Sequence, residues 1–113
     1  MHWGATSQDI LDTACILQAR DALDVVEFQL RHAYAASLEL AEKYRAEVMI
    51  GRTWLQQALP ITFGHKAARW ASSFKRDLER LEQMKARVLT AQLGGAVGSL
   101  ASLLDQGSTV VEA

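Results

Sequence analysis

From Ala5 to Ile50 the chain carries no glycine or proline, and the same holds between Gly64 and Gly94. In the first stretch Leu23, Val26, Leu30, Ala33, Ser37, Leu40 and Tyr44 recur at alternating intervals of three and four. That spacing marks a helix with a bundle-type seam. A second stripe, Leu11, Cys15, Ala22, Val25, Tyr34, Leu38, Ala41 and Val48, lies on another face, and a helix apolar on two faces needs more than one neighbour. In the second stretch Ala67, Trp70, Ala71, Phe74, Leu78, Leu81, Met84 and Val88 form the apolar series, while Lys75, Arg76, Asp77, Glu79, Arg80, Glu82, Lys85 and Arg87 make a mixed-sign solvated face. The pattern predicts an all-α chain of two long antiparallel helices over 7–48 and 60–93. A junction at 49–59 joins them, and a glycine-rich junction at 94–99 leads to a partial helix over 100–113. The pattern gives β structure almost no place.

The helix ends carry their own signals. Thr6 with Asp9 three positions on reads as a capping box, and Asp9 suits the positive end of the helix dipole. Pro60, the one proline, suits the first turn of the second helix through its fixed φ and missing N–H. A helix over 7–48 would be roughly 60 Å long, whereas a compact chain of this size has a radius of gyration of about 13 Å. The helix overshoots such a globule, so self-association or further chain is expected, and the sequence reads as a piece of a larger all-α protein.

Composition narrows the partners. Half of the 113 residues are apolar and 22% are charged, which is ample for a folded domain. Twelve basic against thirteen acidic side chains give a net charge of −1, which argues against nucleic acid or an anionic membrane as partner. No apolar run approaches the length of a membrane helix, and no secretory leader is evident. Cys15 stands alone, with no His or Cys at ligand spacing, so no metal site is expected and a reducing, cytoplasmic compartment fits.

The three junctions differ in composition from the helices they interrupt. They are His2-Trp3-Gly4-Ala5-Thr6-Ser7-Gln8-Asp9, Gly51-Arg52-Thr53-Trp54-Leu55-Gln56-Gln57-Ala58-Leu59-Pro60, and Gly94-Gly95-Ala96-Val97-Gly98-Ser99. Each joins hydroxyls, amides and glycines at a helix end. Hydroxyls beside the free N–H groups of a helix N-terminus make an anion site, and converging junctions would hold a small polycarboxylate. The same Thr-Ser pair also serves as an ordinary cap. His32 falls on a charged helix face and His65 in the first turns of the second helix, both reading as surface positions.

These junctions resemble the signature regions of the fumarase/aspartase superfamily. The first, continued by Ile10-Leu11-Asp12-Thr13-Ala14, is similar to its "HxGxTSxD…DTA" region. The second, through Ile61-Thr62-Phe63-Gly64, resembles "GRTHxQxAxPxTFG", and the third resembles "GGAVGT". All three stand in family order and together cover nearly the whole chain. The resemblance implies a fragment of the central helical domain, whose long helices assemble into a homotetramer with each active site built from three subunits.

Trp54 stands where the superfamily's elimination enzymes carry histidine. An imidazole transfers protons near neutral pH, whereas an indole N–H only donates a hydrogen bond. Tryptophan in this run resembles the superfamily's bacterial branch that lactonises 3-carboxy-cis,cis-muconate in protocatechuate breakdown, a reaction that needs no cofactor or metal. An adenylosuccinate-lyase-type elimination enzyme and a chemically silent helical oligomerisation module are the other readings. Carried over residue by residue, the resemblance gives His2 a place near the proton transfer and Trp54 a place in the pocket as a hydrogen-bond donor. Thr6 and Ser7 would bind one substrate carboxylate, Thr53 and Gln56 another, with Ser99 from the third junction. Arg52 would either offset substrate charge or pin the loop. The superfamily's "GSSxMPxKxNP" loop has no counterpart in these residues, so the 113-residue chain alone is expected to be inactive.

Overall fold

The computed structural model describes residues 3–112. Element order is α1 (Ser7–Lys43), β1 (Val48–Thr53), β2 (Gln56–Thr62), α2 (Phe63–Val88), a short 3-10 helix (Ala101–Gln106) and α3 (Gly107–Glu112). Both long helices are present and the chain is mostly helical, as the apolar periodicity predicts. Contacts group the chain into two compact units. One combines the residues up to Leu23 with those from Lys85 onward, and the other is Asp24–Met84.

The stretch expected to be a bare junction is instead an antiparallel β-hairpin. Its register pairs Val48 with Thr62, Met49 with Ile61, Ile50 with Pro60, Arg52 with Gln57 and Thr53 with Gln56. The step from Ile50/Pro60 to Arg52/Gln57 sets Gly51 against both Ala58 and Leu59, a bulge carrying the extra residue on β2. A Cβ on Gly51 would lie 2.6 Å from the Leu59 carbonyl oxygen, so the close approach at the bulge requires glycine. Pro60 is a strand residue beside this irregularity, a setting a sheet tolerates, and not the first turn of α2 as expected.

Both helix boundaries consequently move. α1 stops at Lys43, short of 48, because Val48 and Met49 pair across the hairpin. A turn carries the chain out of α1, with the Glu47 N–H donating to the Tyr44 carbonyl at 3.1 Å. α2 starts at Phe63, where the Thr62 hydroxyl accepts the His65 N–H at 3.0 Å, a threonine N-cap. It ends at Val88, before the expected 93.

Within Asp24–Met84 the hairpin base is where α2 meets α1. The N–H of Phe63 donates to the Glu47 carbonyl at 2.8 Å and that of Gly64 to the Tyr44 carbonyl at 2.9 Å. The Tyr44 and Phe63 rings meet edge to face at 5.4 Å. Burial follows the predicted seams only in part, since Val26, Trp70 and Val88 of those series are exposed. Ser37 is buried on α1, its hydroxyl donating to the Ala33 carbonyl at 2.7 Å, and Gly64, Ala67, Ala71 and Leu81 are buried on α2. The second α1 stripe stays open: Leu11, Val25 and Leu38 are all exposed. Among the described residues no large side chain is fully buried, and the buried apolar residues are Ala67, Ala71 and Leu81, so the core they form is thin.

Candidate functional site

The first and third junctions are joined by Asp9, which is only 3% exposed. Its Oδ2 accepts the N–H of Thr6 at 2.8 Å and of Gly95 at 3.0 Å, and its Oδ1 accepts the N–H of Gly94 at 3.0 Å. The Thr6 bond is one half of the expected capping box. The Thr6 N–H holds the carboxyl below the usual carboxylate range; desolvation opposes this, and the Gly95 and Gly94 N–H groups add to it. A second clasp lies one turn on. The Thr13 hydroxyl accepts the Gln92 N–H at 3.1 Å and lies 3.3 Å from the Gln92 carbonyl, to which it donates. Gly4, at φ 81°, sits against Leu103, where a Cβ would come within 2.7 Å of the leucine side chain.

This geometry revises the simple anion-site expectation. The backbone donors of Thr6, Gly94 and Gly95 are already spent on Asp9, so a ligand here would meet the hydroxyls of Thr6 and Ser7 in place of those amides. Ser7 and Ser99 are exposed and Thr6 is half-buried. His2 lies outside the described residues. The sequence signal for Asp9 was its place in the cap; nothing in the sequence identified the glycines as its other partners.

The second junction places Arg52, Thr53, Trp54 and Gln56 at one end of the hairpin. Thr53 and Gln56 are register partners flanking the two-residue turn, so the structure brings this predicted pair together. The turn is Trp54-Leu55, both left-handed at φ 50° and 62°, and both 94% exposed. Two successive positive φ values define the type I′ hairpin turn, which ordinarily takes Asn-Gly. Holding two L-residues with a Cβ there costs about 1–2 kcal/mol each. Strain of this kind concentrates where function requires a side chain to be presented. Here it presents an indole.

Between the body of the hairpin and α2 lies a cleft of about 670 Å³ that the sequence did not disclose. The hairpin contributes Met49, Ile50, Gly51, Arg52, Ala58, Leu59 and Ile61, and α2 contributes His65, Lys66, Arg69, Trp70 and Ser73. The Lys66 ammonium lies 5.6 Å from the Trp70 ring centre. Among the described residues no three His, Cys, Asp or Glu side chains gather as a metal-binding group, and no helix is long and apolar enough to cross a membrane.

Comparison with known proteins places the chain in context. The 3-carboxy-cis,cis-muconate cycloisomerase of Acinetobacter baylyi is 73% identical over 113 residues, all of this chain and 25% of that protein. The adenylosuccinate lyase of Archaeoglobus fulgidus is 42% identical over 112 residues, 99% of this chain and 25% of that protein. The crystal structure of beta-carboxy-cis,cis-muconate cycloisomerase from Acinetobacter calcoaceticus sp. ADP1 superposes with a TM-score of 0.94 at 72% identity, covering 99% of this chain and 26% of that one. The chain thus spans about a quarter of the length of the relatives it matches. A family model described as Lyase matches residues 1–107, and with its three signature junctions in order the chain belongs to that lyase family, the fumarase/aspartase superfamily.

Proposed function

We propose that this chain is the part of a 3-carboxy-cis,cis-muconate cycloisomerase that carries the hairpin tip and the Asp9-tied junctions. The whole enzyme would convert 3-carboxy-cis,cis-muconate to 4-carboxymuconolactone in the protocatechuate branch of the β-ketoadipate pathway. One observation carries the reading: Trp54 is exposed on a strained turn, at the position where, by the motif resemblance, elimination lyases of the superfamily hold histidine. The 73% identity to the Acinetobacter baylyi enzyme, against 42% to an adenylosuccinate lyase, points the same way.

The chemistry asks little of this position. A substrate carboxylate oxygen bonds to one alkene carbon, the double-bond electrons move to the neighbouring carbon, and that carbon takes a proton. The substrate supplies the nucleophile, so the enzyme must orient carboxylates, stabilise the carbanion-like state and deliver one proton. Trp54 would donate its indole N–H and close the pocket without titrating. Thr53 and Gln56 would hold one carboxylate and the Thr6 and Ser7 hydroxyls another, with Ser99 at the edge of the glycine junction and Arg52 offsetting charge. His2 would stand near the proton transfer. The large exposed apolar surface of α1 supports self-association; a homotetramer is the assembly, and the cytoplasm the compartment, that this reading assigns to the whole enzyme.

The test is an ultraviolet assay of the intact protein with 3-carboxy-cis,cis-muconate and adenylosuccinate side by side. Loss of the conjugated diene absorbance with the first substrate and no change with the second is the expected result. Cleavage of adenylosuccinate without lactonisation would overturn the reading. The isolated 113-residue chain should form no lactone, and appreciable turnover by it would contradict the assignment of essential groups outside these residues.

A further inference from the structure

The cations of this chain are not distributed evenly between paired and open positions. Arg20 pairs with Asp21, Arg31 with Glu27, Arg45 with Glu42 and Arg80 with Asp77, and Arg76 donates to the hydroxyls of Ser72 and Ser73. The side chains of Arg52 and Arg69 have no ion pair or hydrogen bond among the described residues, and both line the cleft between the hairpin and the start of α2. Lys66 lines it too, and no carboxylate is among its lining residues. Lys66, Arg69 and Ser73 recur along one face of α2, so their polar ends belong to one surface.

We propose that Lys66 and Arg69 are substrate-binding residues, which with Arg52 form a cationic rim that draws in the carboxylates of the muconate before they reach the hydroxyl and amide groups assigned above. This inference rests on the cycloisomerase reading and deepens it. The substrate has three carboxylates, yet Thr6, Ser7, Thr53, Gln56 and Ser99 are neutral and only Arg52 among the predicted binding groups carries charge. Lys66 and Arg69 raise the cationic complement to three, matching the substrate in number. The remainder of the cleft suits the rest of the molecule. Ile50, Leu59, Ile61 and Trp70 offer an apolar floor to a flat, unsaturated carbon chain, and guanidinium groups at the margin can take carboxylates through paired N–H donors. Since Arg52 is shared by the cleft and the hairpin end, the rim would deliver the substrate toward Trp54.

The experiment uses the intact protein and the variants Lys66→Gln and Arg69→Gln. Each should raise KM for 3-carboxy-cis,cis-muconate about tenfold while kcat stays within about twofold, the signature of lost binding that is equal in ground and transition states. Raising ionic strength should raise the wild-type KM more steeply than that of either variant, and Arg69→Lys should recover part of the loss. Unchanged KM in both variants at unchanged molecular size overturns the proposal. A smaller assembly with collapsed kcat also overturns it, assigning the cleft to a neighbouring copy. If the intact protein does not lactonise the substrate at all, the functional reading fails separately. The rim is then tested by calorimetry with citrate as the tricarboxylate probe: tenfold weaker binding in the variants upholds it, and no citrate binding by the wild type removes it.

Discussion

Gly64 sets two physical effects of known size against each other. The residue lies in the first turn of α2 and is buried, and its N–H donates to the Tyr44 carbonyl at 2.9 Å. Replacing a helical glycine by alanine ordinarily gains about 1 kcal/mol, because glycine loses more backbone freedom on folding. Here a Cβ would lie 2.5 Å from the Ala41 carbonyl oxygen, 2.7 Å from the Arg45 Cα and 2.8 Å from the Tyr44 carbonyl oxygen. Real Cβ atoms essentially never come closer than 3.0 Å to such neighbours. All three are backbone atoms, so no rotamer change relieves the overlap. α2 itself must retreat by about half an ångström, stretching the bond to Tyr44. Overpacking of this kind costs about 1–3 kcal/mol, and three immovable contacts place it at the upper end. The net expectation for Gly64→Ala is a loss of about 2 kcal/mol.

Urea unfolding followed by far-ultraviolet circular dichroism reads this loss as a lower midpoint at unchanged slope. Gly98→Ala is the matched control. Nothing lies within 4 Å of its Cβ position and its φ is +77°, so it should lose only about 1 kcal/mol, from backbone strain alone. A Gly64→Ala protein as stable as the wild type, or more stable, would refute the reasoning, because helix propensity would then outweigh the contact with α1.

Three further outcomes follow from the same structure. The Asp9 carboxyl is held below its ordinary range in the folded state, so its contribution is complete above an unfolded value of about 3.9 and is lost as pH falls through the folded value. Acid unfolding should therefore begin with exposure of the Gly94 and Gly95 amides to hydrogen exchange, and Asp9→Asn should show that exposure already at neutral pH. Leu55→Gly in the intact protein should raise stability by about 1 kcal/mol, since it removes left-handed strain from a side chain 94% exposed; calorimetry showing a loss would mean the turn is not strained. Leu30→Asp sets a charge into the half-buried α1 seam and should cost several kcal/mol or prevent assembly of the intact protein, and a native size by light scattering would contradict the seam assignment.

The helices were legible because they rest on local periodicity. The run Leu30, Ala33, Ser37, Leu40 and Tyr44 requires only that one face be apolar, and those positions are all buried or half-buried. The hairpin was not legible, although Val48 to Thr53 and Gln56 to Thr62 stand two residues apart, the spacing of a tight β-turn. Trp54-Leu55 is a poor turn dipeptide on local energetics, and the absence of glycine or proline between Gly4 and Gly51 favoured continuing the helix. Ladder pairing and the clasp of Glu47 and Tyr44 on Phe63 and Gly64 outweigh that local preference.

The site divides along the same line. The identity of its groups (hydroxyls at Thr6 and Ser7, an indole at Trp54, amide and guanidinium at Gln56 and Arg52) was readable residue by residue, because chemical character belongs to the side chain alone. Sequence likewise determined the helical class and the family, since periodicity and ordered motifs are one-dimensional properties. Which groups meet was decided by the tertiary structure. Asp9 finds Gly94 and Gly95 more than eighty positions away, and Arg52 of β1 comes to line one cleft with Lys66 and Arg69 of α2. Such pairings depend on where the backbone places distant amides and charges, and that placement emerges only when strand pairing and close backbone contact override the preferences of each local segment.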